Sequence, residues 1–156
     1  MDLKTLNHLP RRDFLDTLKN IWPDGTWIAE AVEGERPFKS IRGLHQAMAE
    51  HVRNASDRRK LALLQAFYTA EIETLLQTRL QAVSGESDEV EALHFAFQAY
   101  EKHFGFPYFA ALDTNDALQS PQELSARLEH DVDEERMFAL RSVSERARQK
   151  LEELLA

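Results

Sequence analysis

Val90, Leu93, Phe97, Tyr100 and Phe104 recur at intervals of three and four and run straight into Phe104-Gly105-Phe106-Pro107-Tyr108. The intervals place the first five on one face of a helix. The aromatic run that follows cannot prolong that helix. Pro107 lacks a backbone donor and steers Phe106 away from helical angles, while Gly105 admits angles that other residues take only with strain. The next residues, Phe109, Ala110, Ala111 and Leu112, are apolar and mostly small. Their backbone N–H groups are candidates to face a ligand from a water-poor wall. The same residues fit a plain interhelical turn packed by aromatics.

Outward from this break, apolar residues keep helical spacing nearly everywhere, and no useful period-two alternation occurs. The fold class is therefore all-α, a multi-helix bundle, and residues 1–156 read as a single domain without repeats or linkers. Phe14, Leu15, Leu18, Ile21 and Trp22 predict a first main helix closed by Pro23-Asp24-Gly25, and a short element follows over Trp27 to Val32. Ser40 is placed to cap a helix with Ile41, Leu44, Met48 and Val52 on its inner face. Leu61, Leu64, Tyr68, Ile72, Leu75 and Leu80 predict one long helix from about 57 to 82, ended by Ser84-Gly85-Glu86-Ser87.

After the aromatic break, Asp113 to Asp116 read as a polar loop. Ser120-Pro121-Gln122-Glu123 is a capping box with proline at the first helical position. A last helix starts around Asp131 to Glu135, whose carboxylates suit its positive end. It carries Leu140, Val143, Ala147, Leu151 and Leu154 inward, with Arg141–Glu145 and Arg148–Glu152 spaced as exposed pairs.

Composition narrows the chemistry. The 156 residues are 43% hydrophobic, enough for one core, and carry a formal charge of −8 that opposes nucleic acid. Arg58-Arg59-Lys60 is the densest basic cluster and reads as a solvated helix end. With no cysteine there is no disulfide or thiolate chemistry. No apolar run approaches the ~18 residues of a membrane span, and the opening lacks a basic-then-apolar leader, so a cytoplasmic protein is expected. Histidine spacing does not suggest zinc, and the five glycines form no phosphate loop, so neither metal nor cofactor is expected.

Three constellations carry a resemblance: Arg36-Pro37-Phe38 followed by His45 and Met48; Leu61-Ala62-Leu63-Leu64-Gln65-Ala66-Phe67; and the aromatic break followed by Arg127-Leu128. Together with Leu6-Asn7-His8-Leu9 and Trp27-Ile28-Ala29-Glu30, they resemble the 2-oxo-4-hydroxy-4-carboxy-5-ureidoimidazoline (OHCU) decarboxylases of urate breakdown. In that family an Arg-Pro-Phe segment, a Leu-His-x-Ala-Met helix and a Phe-Gly-Phe-Pro-(Phe/Tyr) segment occur in the same order. The resemblance implies a helical decarboxylase scaffold, a small planar ureide or purine-derived ligand, and a symmetric homodimer.

It also exposes a departure. Relatives carry histidine as the acid/base within a His-Pro-Asp-Leu run; by an ungapped count from Arg36 that position is Phe67, followed by Tyr68, Thr69 and Ala70. A phenyl ring has no ionisable proton, and general acid catalysis is worth roughly 10²- to 10⁴-fold. Ser84 and Glu86 match the family's serine and glutamate motif only in part, and the family's substrate-facing arginine falls on Lys150, which keeps the charge without the planar two-point grip. The ligand-binding residues implied are Phe67, Tyr68, Ser84, Glu86, Phe106, Pro107, Tyr108, Phe109, Ala110, Ala111, Leu112 and Lys150, with no catalytic residue assigned. Standard decarboxylation is expected to be weak or lost. The alternative is an active enzyme that relies on a relocated acid/base, with His94 and His103 as candidates, or on substrate desolvation alone.

Overall fold

Extended hydrophobic faces dictate helices, and in the computed structural model the described residues, 1–83, 85–113 and 120–156, contain helices and turns and no strand. The all-α expectation holds. Two compact units emerge: residues 1–66 with 143–156, and residues 67–142.

The first unit begins with α1 (Leu3–His8), capped by Asp2, whose carboxylate accepts from the Thr5 N–H at 2.8 Å. Then come α2 (Arg11–Leu18), α3 (Thr26–Glu33) and α4 (Ile41–Arg53). α2 ends at Leu18, earlier than its apolar pattern implies. Ile21 and Trp22 are buried from the turn beyond it, since a side chain need not be helical to reach the core. Leu6, Phe14, Ile28, Val32, Leu44 and Met48 form this unit's interior, α2 packing on α3 and α3 on α4. Ser40 caps α4 as the sequence predicts, accepting from the Gly43 N–H at 2.9 Å.

Arg-Pro-Phe proves to be a structural clamp. The Arg36 guanidinium donates to the Leu9 carbonyl at 2.7 Å, binds Glu33 at 2.8 Å and lies 4.4 Å over the Phe14 ring. It thereby satisfies carbonyls at the C-terminal end of α1 that the helix leaves unpaired. The Asn7 side chain holds Phe38 from both directions, donating to its carbonyl at 2.9 Å and accepting from its N–H at 2.8 Å. His45 stacks on buried Trp22 and lies 2.9 Å from the Ser144 carbonyl through Nε2, which makes it a packing residue.

The single helix predicted over 57–82 is two: α5 (Asp57–Phe67) and α6 (Ala70–Gln81). The Thr69 side chain accepts from the Ile72 N–H at 3.3 Å and starts α6 afresh. Threonine competes for backbone donors, which favours caps over helix interiors. The restart rotates the apolar stripe: Leu76 and Leu80 are buried, while Leu75 is 40% exposed.

α7 (Ser87–Phe104) ends where the aromatic run predicts, at Gly105, whose φ of 85° is left-handed and whose N–H donates to the Glu101 carbonyl at 2.8 Å. α8 (Pro121–Ala126) starts at the predicted capping box, with the Ser120 side chain accepting from the Glu123 N–H at 3.2 Å. α9 (Val132–Leu155) supplies its first part to the second unit and the remainder to the first. On α9 the buried terminal residue is Leu155 rather than Leu154, and Glu145 pairs with Arg148 rather than Arg141. That pairing holds the Glu145 carboxyl below the usual carboxylate range.

Candidate functional site

The aromatic wall forms in the second unit because Gly105 turns the chain and Pro107 keeps it extended, after which Phe109–Leu112 close one 3₁₀ turn. Phe106, Tyr108, Phe109, Ala110, Ala111 and Leu112 are all buried, as is Pro107. Within the turn the Ala111 N–H donates to the Tyr108 carbonyl at 3.2 Å. That amide therefore braces the wall itself instead of facing outward. Arg79 donates to the Leu112 carbonyl at 3.2 Å, and Ser142 donates to the Asp113 carboxylate at 2.8 Å, fixing the far end of the turn.

Three of the predicted site residues meet at one ring. Phe67 packs edge-on against Phe109 with centroids 5.1 Å apart, and Tyr68 does the same at 5.9 Å. The Phe67 ring is only 8% exposed. The Tyr68 hydroxyl is pushed above its ordinary value by burial, and further by Glu101 on α7 and Glu73 on α6. Burial, then Glu73, likewise raises the Glu101 carboxyl. An acidic pair thus shares the neighbourhood of Tyr68, a feature the sequence reading missed because Glu73 and Glu101 lie on different helices.

The other candidates are placed differently. Ser84 and the predicted polar residues Thr114, Asn115 and Asp116 lie outside the described residues. Glu86 is exposed immediately before α7 and its side chain caps nothing. Lys150 is exposed on α9 in the first unit. His94 and His103 line clefts on the outer face of α7, in company with Phe95 and Gln98.

Beneath the wall lies a charge cluster that the sequence reading misassigned. Glu135 was expected to sit with its neighbours as a solvated carboxylate at a helix start, yet it is 1% exposed. It accepts from the Tyr100 hydroxyl at 2.9 Å and from Arg127 Nε at 2.8 Å, with His130 Nδ1 at 3.4 Å. The Arg127 guanidinium lies 4.0 Å from the Phe138 ring centroid and 5.5 Å from that of Tyr108. Burial and the adjacent Glu135 charge hold the Tyr100 hydroxyl protonated far above its ordinary range. The signal was present: Glu135 precedes Ala139 by four residues and so continues the inner stripe of α9 by one turn. Tyr100 also touches Phe104, Phe106 and Tyr108, so this ion pair and the wall are one packed assembly. Among the described residues no group of three or more histidine and carboxylate side chains is arranged to hold a metal, and no helix is long and apolar enough to cross a membrane.

Comparison with known proteins fits this geometry. The chain is 30% identical over 161 residues to a 2-oxo-4-hydroxy-4-carboxy-5-ureidoimidazoline decarboxylase of Halalkalicoccus jeotgali, covering 99% of this chain and 92% of that one. It is 28% identical to a uric acid degradation bifunctional protein of Bacillus sp. TB-90, of which it spans 32%. A crystal structure of (S)-allantoin synthase superposes with a TM-score of 0.74 at 25% identity, over 99% of this chain and 54% of that one. The family model for OHCU decarboxylase matches residues 7–152. With helices, aromatic wall and sequence in agreement, the chain belongs to the OHCU decarboxylase family.

Proposed function

We propose that this chain is a single-domain OHCU decarboxylase-like protein of urate and purine degradation whose standard decarboxylase activity is weak or lost. In this reading it retains a pocket at the Phe104–Leu112 wall for a small planar ureide or purine-derived ligand. The observation that carries the reading is Phe67. By the sequence count it stands at the family's acid/base histidine, and its ring packs on Phe109 with no proton to give. Loss of CO2 breaks the bond to the carboxylate carbon and leaves an electron pair on the ring carbon, which must take up a proton. A benzyl group cannot deliver it. The proposal invokes no metal, cofactor, nucleic acid or membrane, and it includes a cytoplasmic location and the homodimer implied by resemblance.

Decay of freshly generated OHCU, followed together with the optical activity of the allantoin formed, tests it. Decay at the uncatalysed rate with racemic product is the expected result; enzyme-like decay to one enantiomer overturns it. Phe67→His is expected to raise turnover if the remainder of the pocket is intact, and to leave it unchanged if the departures near Glu86 have also removed binding.

One observation favours a second reading, an active carboxy-lyase that yields (S)-allantoin. Burial, then Glu73, raises the Glu101 carboxyl above its ordinary value in the neighbourhood of Tyr68, the direction in which a relocated general acid would be tuned. Desolvation of the substrate carboxylate in an apolar pocket would assist the same reaction. Enantiomerically pure product that disappears in Glu101→Gln establishes this reading over the first.

A further inference from the structure

The turn Phe109–Leu112 is too short to hold its own shape. A 3₁₀ turn has hydrogen bonds of poorer geometry than an α-helix and leaves its last carbonyls without partners. Its two ends are secured in different ways. The entrance is set in aromatic packing: Tyr100 lies against Phe106 and Tyr108, with ring centroids 6.3 and 5.3 Å away, and Phe109 meets Phe67 and Tyr68 edge-on. The exit depends on polar contacts.

There the peptide that joins Leu112 to Asp113 is held at both of its polar atoms. Its N–H donates to the Ala110 carbonyl at 3.1 Å, and its carbonyl accepts from Arg79 Nη2 at 3.2 Å. The Asp113 carboxylate in turn accepts from Ser142 on α9. Since the Ala110 bond is a lone 3₁₀ closure, the guanidinium is what keeps this peptide plane in one orientation. Arg79 lies half-buried in the last turn of α6. Helix side chains lean toward the N-terminus, which on α6 is the end adjoining Phe67 and Tyr68. Contacts to both ends of the wall therefore follow one helix: rings just before its start meet Phe109, and a cation near its close meets Leu112. A planar guanidinium suits the task, because it fixes direction where an ammonium supplies a point charge.

We infer that Arg79 is a positioning residue of the ligand wall, its hold on the Leu112 carbonyl fixing the backbone that a planar ureide meets. This rests on the wall being the ligand site, as in the functional reading, and adds the residue that gives the wall its working shape. Arg79 acts through the backbone and is not assigned to touch the ligand.

Titration of the nitrogen-labelled full chain with allantoin, a neutral ureide, followed by amide NMR, tests it. The spectrum reports at once whether each variant is folded, where the probe sits and how tightly. In the parent the Ala110 and Leu112 amide signals should shift and saturate. Arg79→Met should bind roughly tenfold more weakly or worse, because the ligand must then order the wall itself. Arg79→Lys, which keeps the charge without the fork, should fall between the two. A contribution to stability alone would leave the affinities of folded chains equal. Shifts at the wall with equal affinity in the parent and both variants overturn the inference and leave the pocket standing. Shifts confined elsewhere, or none up to millimolar allantoin, overturn the pocket reading and the inference with it. Should Arg79→Met lose its dispersed spectrum, Arg79→Lys decides alone, and equality with the parent is the overturning result.

Discussion

At position 67 the surroundings suit a phenyl ring. Edge-on contact with Phe109 in a buried site favours an apolar ring. Phe67→His should therefore lower stability by about 1 to 3 kcal/mol, whatever it does to turnover, because a polar ring enters apolar packing; chemical denaturation measures this. Glu101 carries the opposite lesson. Its folded-state value lies above the ordinary 4.5, so the native state binds the proton more tightly than the unfolded chain does. The associated stability is full below about pH 4.5 and declines as pH rises through the raised value. Glu101→Gln, permanently neutral, should melt higher than the parent at pH 7 to 8, with the difference vanishing in acid. Arg127 and Glu135 form a buried pair in which neither charge is tolerable alone. Arg127→Met should cost about 3 to 5 kcal/mol, since it strands the carboxylate. The double change Arg127→Met/Glu135→Leu should cost less than the sum of the two singles; an additive double-mutant cycle would mean that the pair is not coupled.

Elements show where sequence pattern suffices and where it fails. The end of α7 and the start of α8 were readable because Gly105, Pro107, Ser120 and Pro121 act through their own backbone restrictions, whatever surrounds them. The break between α5 and α6 was not readable as apolar periodicity, because Leu61, Leu64, Tyr68 and Ile72 keep helical spacing across it. The signal resided in one hydroxyl, Thr69, and a cap is visible only once the chain has turned. Thr69→Ala should destabilise by about 1 kcal/mol in thermal or chemical unfolding, the usual worth of an N-cap. Side-chain polarity misled at Glu135 for a related reason. Three carboxylates in a first turn look alike in sequence, and only tertiary packing selects the one that turns inward to meet Arg127 and Tyr100. Within the candidate site, Phe67, Tyr68 and the wall residues around Phe109 were legible through the family motif, whereas Glu73 and Glu101 depend on the packing of separate helices.

For the molecule as a whole, the all-α class followed from one repeated interval, and the family followed from motifs dispersed from Leu6 to Leu128. The division into two compact units has an optical corollary. Both tryptophans, Trp22 and Trp27, belong to residues 1–66, and all three tyrosines, Tyr68, Tyr100 and Tyr108, belong to residues 67–142. Indole emission and phenol absorbance are thus separate reporters built into the native chain, and loss of structure in each part can be followed in one cuvette without a label.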